Sequence, residues 1–190
     1  MCMQWCAVRL AVLVTAACVL AACGLSVQEQ WARPGAALLT RLAVLPFENQ
    51  TPALRAGVVA SDLLVSELLA TGAVGLMDPS EVTDLLRRDG LDPGDVTHLP
   101  SAQRLGRILQ VSHVLKGSVT EFRYKPGLSE TPVVGITARV VDVASGEVVW
   151  TASQARSGSS WFREDGLARL AQVIVRDMAQ HLTQSLSRAR

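Results

Sequence analysis

The sequence predicts a single-domain α/β sandwich, and three patterns point to it. Arg41–Phe47 is apolar on both of its alternating sets, Leu42/Val44 and Ala43/Leu45, as a strand covered on both faces requires. Residues 53–109 then carry helical spacing with recognisable starts and stops. In Pro132–Val143 the period changes to two. Val134, Ile136, Ala138 and Val140 share a face, and Thr137 and Arg139 point the other way.

The elements follow in order. Pro46 cannot donate to a ladder and ends the first strand, and Glu48–Pro52 reads as a loop. Ala53–Thr71 is the first helix, with Val59, Leu63, Leu64 and Leu68 at helical spacing and Gly72 placed as its C-cap. Ala73–Met77 reads as a short second strand. Asp78-Pro79-Ser80-Glu81 supplies an N-cap, a proline at the first helical position and an acid at the third. That second helix runs to about Arg88. After a loop over Leu91–Leu99, Ser101 opens a third helix ending at Leu109. His113–Tyr124 and Pro132–Val143 are long strands. A tight turn at Ala144-Ser145-Gly146 leads into Glu147–Gln154, which places Val148, Trp150 and Ala152 together. A long last helix, about Arg163–Leu186, carries Leu167, Leu170, Ala171, Ile174, Met178 and Leu182 on one stripe. The expected order is β-α-β-α-α-β-β-β-α, with an antiparallel C-terminal meander and helices covering the sheet.

Composition excludes several function classes. Eighteen basic residues against 17 acidic ones leave no basic stripe for nucleic acid. With 49% hydrophobic and 18% charged residues, the chain has the means to build a core. All four cysteines, Cys2, Cys6, Cys18 and Cys23, lie in the first 23 residues.

That segment is an address. Arg9 is the only charge before Glu29, and the apolar run from Leu10 to Cys23 spans only about 21 Å as a helix, against a hydrocarbon core of about 30 Å. A charged start, a short apolar stretch and a small-residue exit describe a cleaved signal peptide. An uncleaved anchor would need Met1–Leu10 inside the bilayer with Arg9 snorkelling. Leu20-Ala21-Ala22-Cys23 resembles the lipobox of bacterial lipoproteins. The resemblance implies cleavage before Cys23, lipid on its sulfur and amino group, and a firm membrane anchor. With Gly24 rather than Asp next, it also implies the outer membrane of a Gram-negative envelope, periplasmic face. The expected division is 1–22 signal peptide, 23–40 lipidated cysteine and short tether, and 41–190 folded domain. Loss of Arg9 leaves 17 basic and 17 acidic residues and no free thiol for a disulfide.

The chemistry inventory is thin. His98, His113 and His181 show no ligand spacing, so no metal site is expected. His113 reads as a half-buried structural residue and His181 as a surface one. Asp62 and Glu67 lie five apart on the first helix, on different faces, and read as solvated charges. Asp142 and Glu147 bracket the glycine turn, as turn chemistry or as a small cation site. There is no Gly-x-Ser-x-Gly elbow and no phosphate loop, so no catalytic residue, cofactor or small-molecule substrate is expected. Candidate partner contacts are aromatic. Phe122 and Tyr124 end a strand beside a turn. Trp161 and Phe162 precede the last helix, as a hydrophobic staple or as an exposed patch.

Several stretches together carry a family resemblance over about residues 41–183: Leu42-Ala-Val-Leu-Pro-Phe-Glu-Asn49, Ser61-Asp-Leu-Leu64, Leu68-Leu-Ala-Thr-Gly72, Leu105-Gly-Arg-Ile-Leu109, Val114–Phe122 and Val140–Trp150. In this order behind a lipobox, they resemble the curli-export lipoproteins (CsgG-like) and the related lipoprotein activators of penicillin-binding proteins (LpoB-like). The resemblance implies an anticodon-binding-domain-like core used for protein interaction, without catalysis. Its partner would be an envelope protein or a second copy of the chain. The connections at Glu48–Pro52 and Lys125–Thr131 are too short for the long hairpins of a pore. Regulation of a peptidoglycan synthase is the alternative, and an envelope hydrolase, resting only on scattered Ser, His and Asp, is the remote one. A tether of 17 residues is short for the long arm that such activators use.

Overall fold

The computed structural model describes residues 26–33, 39, 41–93, 101–126, 130–158 and 166–187. Within them the order is β1 (Ser26–Ala32), β2 (Leu42–Val44), β3 (Glu48–Asn49), α1 (Ala56–Thr71), α2 (Pro79–Arg88), α3 (Ala102–Leu109), β4 (His113–Lys125), β5 (Thr131–Asp142), β6 (Val148–Ser157) and α4 (Leu167–Ser187). The six strands form one sheet in the order β1-β6-β5-β4-β2, with β3 also paired to β4. β2 and β3 run parallel to β4, and all the other pairings are antiparallel. This is the α/β architecture expected, with the C-terminal meander and the long last helix in place.

The two alternating sets of the first strand part as predicted. Leu42 and Val44 join the large core under α1 and α4, while Ala43 and Leu45 join a smaller one under α2 and α3. The large core takes Val134, Ile136, Ala138, Val140, Trp150 and Ala152 from the meander and Leu170, Ala171, Ile174, Met178 and Leu182 from α4. The small core, centred on Leu86, Leu105 and Leu109, covers only the β2 end of the opposite sheet face. Local signals hold where they were read. The Asp78 carboxylate accepts from the Ser80 amide at 2.8 Å, Ser101 caps α3, and Gly72 and Gly146 take the left-handed conformation at φ 60° and 74°.

Five expectations need correction. The segment read as a tether contains β1, an edge strand paired along its whole length with β6. Its inward residues include Gln28 and Gln30 and its outward ones include Val27 and Trp31, so its pattern is the reverse of a covered strand. The second strand expected over Ala73–Met77 is only a bridge, Leu76 beside Leu42. Glu48–Asn49, read as loop, is the short parallel strand β3. α1 is rotated relative to the predicted stripe: Val59 is 40% exposed, and the buried face runs through Ala56, Gly57, Ala60, Ser61, Leu64, Val65 and Leu68. Gly57 and Ala60 let the helix approach closely, so packing outweighs the count of large apolar residues. Val148 is exposed because the register shifts between Val140 and Val141, turning Val149 inward in its place.

Candidate functional site

The site is built from the half of the sheet that no helix among the described residues covers. Residues directly opposite one another across paired strands share a face. Trp31, Thr151, Arg139 and Lys116 therefore form one row on the face away from α1 and α4. Glu29, Ser153, Thr137, Ser118 and Glu48 form the next. Where the β2–β3 connection rises beside β4, these rows floor a groove of about 340 Å³ whose lining includes Pro46, Glu48, Gln50, Lys116, Ser118 and Arg139.

The groove wall is held from beneath. Phe47 is buried against Gly117, where a Cβ would lie 2.6 Å from the ring. A glycine mid-strand thus lets an aromatic ring lie on the backbone and anchor the wall. On the floor, the Ser118 and Thr137 hydroxyls hydrogen-bond each other at 2.8 Å. Lys116 and Arg139 stand directly opposite as like charges, an arrangement that opposes folding. Burial, and then the Arg139 charge, push the Lys116 ammonium below its usual range, and Glu48 offsets part of this. Lys116 and Arg139 make no ion pair within 4 Å among the described residues.

Elsewhere charges are used for structure. Glu67, expected to be solvated, accepts from Arg176 of α4 at 3.2 and 3.3 Å, which holds its carboxyl below the usual range. Asp62 is exposed, as expected. Arg156 pairs with Asp177, fastening β6 to α4. Asp142 accepts the Ser145 amide at 2.7 Å and its hydroxyl at 2.8 Å, which is turn chemistry, and Glu147 pairs with Arg33 next to β1. His181 is not a plain surface residue, for the Trp150 indole donates to its Nδ1 at 3.0 Å. Beside it Gln28, Gln30, Asp177, Gln180 and Gln184 line a polar hollow between β1 and α4. That hollow is why glutamines can face inward on β1.

His113 is buried at 3% exposure, more deeply than expected, with Nε2 3.5 Å from Asp142 and Nδ1 2.9 Å from the Ser112 hydroxyl. Burial lowers its pKa, and the Asp142 charge offsets part of that. A folded-state pKa below the unfolded value of about 6.5 means that the unfolded chain binds the proton more readily. Stability is then full above that value and falls as the pH drops below it, by at most about 1.4 kcal/mol per pH unit. Urea unfolding at pH 7.5, 6.5 and 5.5 should show this slope, and His113→Gln should flatten it.

Of the predicted contact residues, Tyr124 is 46% exposed near the end of β4, whereas Phe122 is partly buried against the large core. Phe122 is therefore mainly a packing residue, because the bulge after Val119 places it opposite Val134. Cys23, Trp161 and Phe162 lie outside the described residues, as does His98. No group of three or more His, Cys, Asp or Glu among the described residues is placed to hold a metal ion. No helix among them is long and apolar enough to cross a membrane. The groove was half legible in sequence: Thr137 and Arg139 were assigned to the outer face of their strand, but nothing local indicated that Lys116 would stand beside Arg139.

No protein-family model and no curated protein sequence matches the chain. Solved structures do. The PelC dodecamer from Paraburkholderia phytofirmans is 28% identical, over 87% of this chain and 99% of that one, with a TM-score of 0.61. Lipoprotein GNA1162 from Neisseria meningitidis is 23% identical, over 74% and 99%, with a TM-score of 0.58. The LpoB C-terminal domain from Salmonella enterica is 20% identical, over 65% and 86%, with a TM-score of 0.50. These structures support the LpoB-like part of the resemblance. The chain has the α/β fold that these three structures share.

Proposed function

We propose that the chain is a lipoprotein anchored through Cys23 in the outer membrane, facing the periplasm. In this reading it performs no chemistry and works by docking on an envelope protein or on copies of itself. The observation that carries the reading is the likeness to PelC, a dodecamer, over 99% of that chain. The lipobox-like Leu20–Cys23 and a concave, charged sheet face agree with it.

Regulation of a peptidoglycan synthase is the reading that an LpoB-like fold invites. Because β1 begins at Ser26, three peptide steps, at most about 11 Å, separate Cys23 from the sheet. So short a reach favours partners at the membrane surface over distant ones.

The anchor is tested by Cys23→Ala. Cells expressing this variant should release the protein into the soluble envelope fraction, whereas the wild-type chain should stay with washed membranes. Retention of the variant would refute the anchor.

A further inference from the structure

We infer that the outer ridge of α1 in one copy docks into the groove on the open sheet face of the next, with Asp62 meeting Arg139 and Lys116. This rests on the self-association reading above and specifies its interface. An α/β sheet is normally covered on both faces, and here α2 and α3 cover only the β2 end of one face. A helix from a neighbouring copy would complete that missing layer.

The ridge has the matching chemistry. Val58, Val59, Asp62, Ser66 and Leu69 lie on the outer side of α1, with Asp62 between apolar residues, and Leu54 (94% exposed) sits in the turn just before it. Asp62 makes no ion pair within 4 Å among the described residues, the same condition as Arg139 and Lys116. An anionic group set between the two cations would turn their repulsion into attraction. Trp31 and Val27, exposed on β1 at the far side of the same face, offer apolar area to the ridge. The spacing also fits. Arg55, the left-handed N-cap of α1, precedes Asp62 by seven residues, about 10.5 Å along the axis. Glu48 and Arg139 are separated by two strand spacings, about 10 Å, and a two-residue stagger of about 7 Å, which is about 12 Å in all. With the reach of the long arginine side chains, one helix end can bring Arg55 toward Glu48 and Asp62 toward Arg139.

Geometry at a membrane favours this type of contact. Lipid anchors give all copies one orientation and confine them to a plane. A ridge-to-groove contact is heterologous, and its repetition about the membrane normal closes a ring where its rotation divides a full turn.

Sedimentation velocity on the full-length chain in detergent tests the proposal, with circular dichroism confirming that each variant is folded. Wild type should assemble. Asp62→Arg and Arg139→Glu should each weaken assembly by about ten-fold or more. The double variant should recover it, and so should an equimolar mixture of the two single variants, because every contact in an alternating assembly pairs opposite charges. Wild-type assembly left intact in both single variants would place the interface elsewhere while self-association stands. Single variants that fail without rescue would refute the charge pairing. A wild-type chain that stays monomeric at tens of micromolar would overturn self-association itself.

Discussion

Trp150→Ala is expected to cost about 3–5 kcal/mol of stability, the range for deleting a fully enclosed indole. Trp150 is 2% exposed and lies where the meander meets α4, in the same cluster as Ile174, Met178 and Leu182. Its nitrogen donates to His181 at 3.0 Å, so the side chain ties sheet to helix by area and by one directed bond. Trp150→Phe separates the two contributions: it keeps most of the apolar contact, removes the donor, and should cost about 1–2 kcal/mol. Urea unfolding followed by circular dichroism measures both. Equal losses for the two variants would mean that the bond, not the buried area, dominates.

Gly57→Ala should have the second large effect, against the usual preference of helices for alanine. In an open helix interior this change gains about 1 kcal/mol. Here the new Cβ would sit 2.0 Å from the Phe47 carbonyl oxygen and 2.9 Å from its carbon. Both obstacles are backbone, so the helix or the β2–β3 connection must move. Forced overpacking of this kind costs about 1–3 kcal/mol, and a backbone obstacle puts Gly57 at or above the upper end. The net expectation is a loss of about 2 kcal/mol or more. The displaced connection also carries Pro46 of the groove wall and leads directly into Glu48 of its floor, so Gly57→Ala should disturb assembly as well as stability. Gly72→Ala is the control. It has nothing within 4 Å and only its left-handed φ to strain, so it should cost about 1–2 kcal/mol and leave assembly alone.

Most of the core could be read from the sequence, and most of the candidate site could not. The parting of Leu42/Val44 from Ala43/Leu45, the shared face of Val134–Val140 and the stripe of α4 came from periodicity, because a buried face repeats with its element. β1 escaped notice because Gln28 and Gln30 face a polar hollow, which removes the apolar alternation that marks a strand. Val148 and Phe122 were misplaced because a bulge inverts alternation without leaving a trace in the residues themselves. Glu67 looked solvated because its partner, Arg176, lies on a helix far along the chain.

The sequence by itself determined the α/β class, the C-cap of α1 at Gly72, the N-caps of α2 and α3, the turn at Gly146 and the apolar faces of the central strands, while α1 itself begins at Ala56 rather than at Ala53. Each depends on interactions among residues within a turn or a strand of one another, where spacing and residue type suffice. Tertiary structure alone decided which sheet face stays open, that Lys116 and Arg139 share a row beneath a groove, and how α1 is turned to leave Asp62 on its outer ridge. Those outcomes follow from strand register, bulges and the close approach that Gly57 and Gly117 permit. Register and close approach are set by pairings between distant segments, which no local pattern encodes.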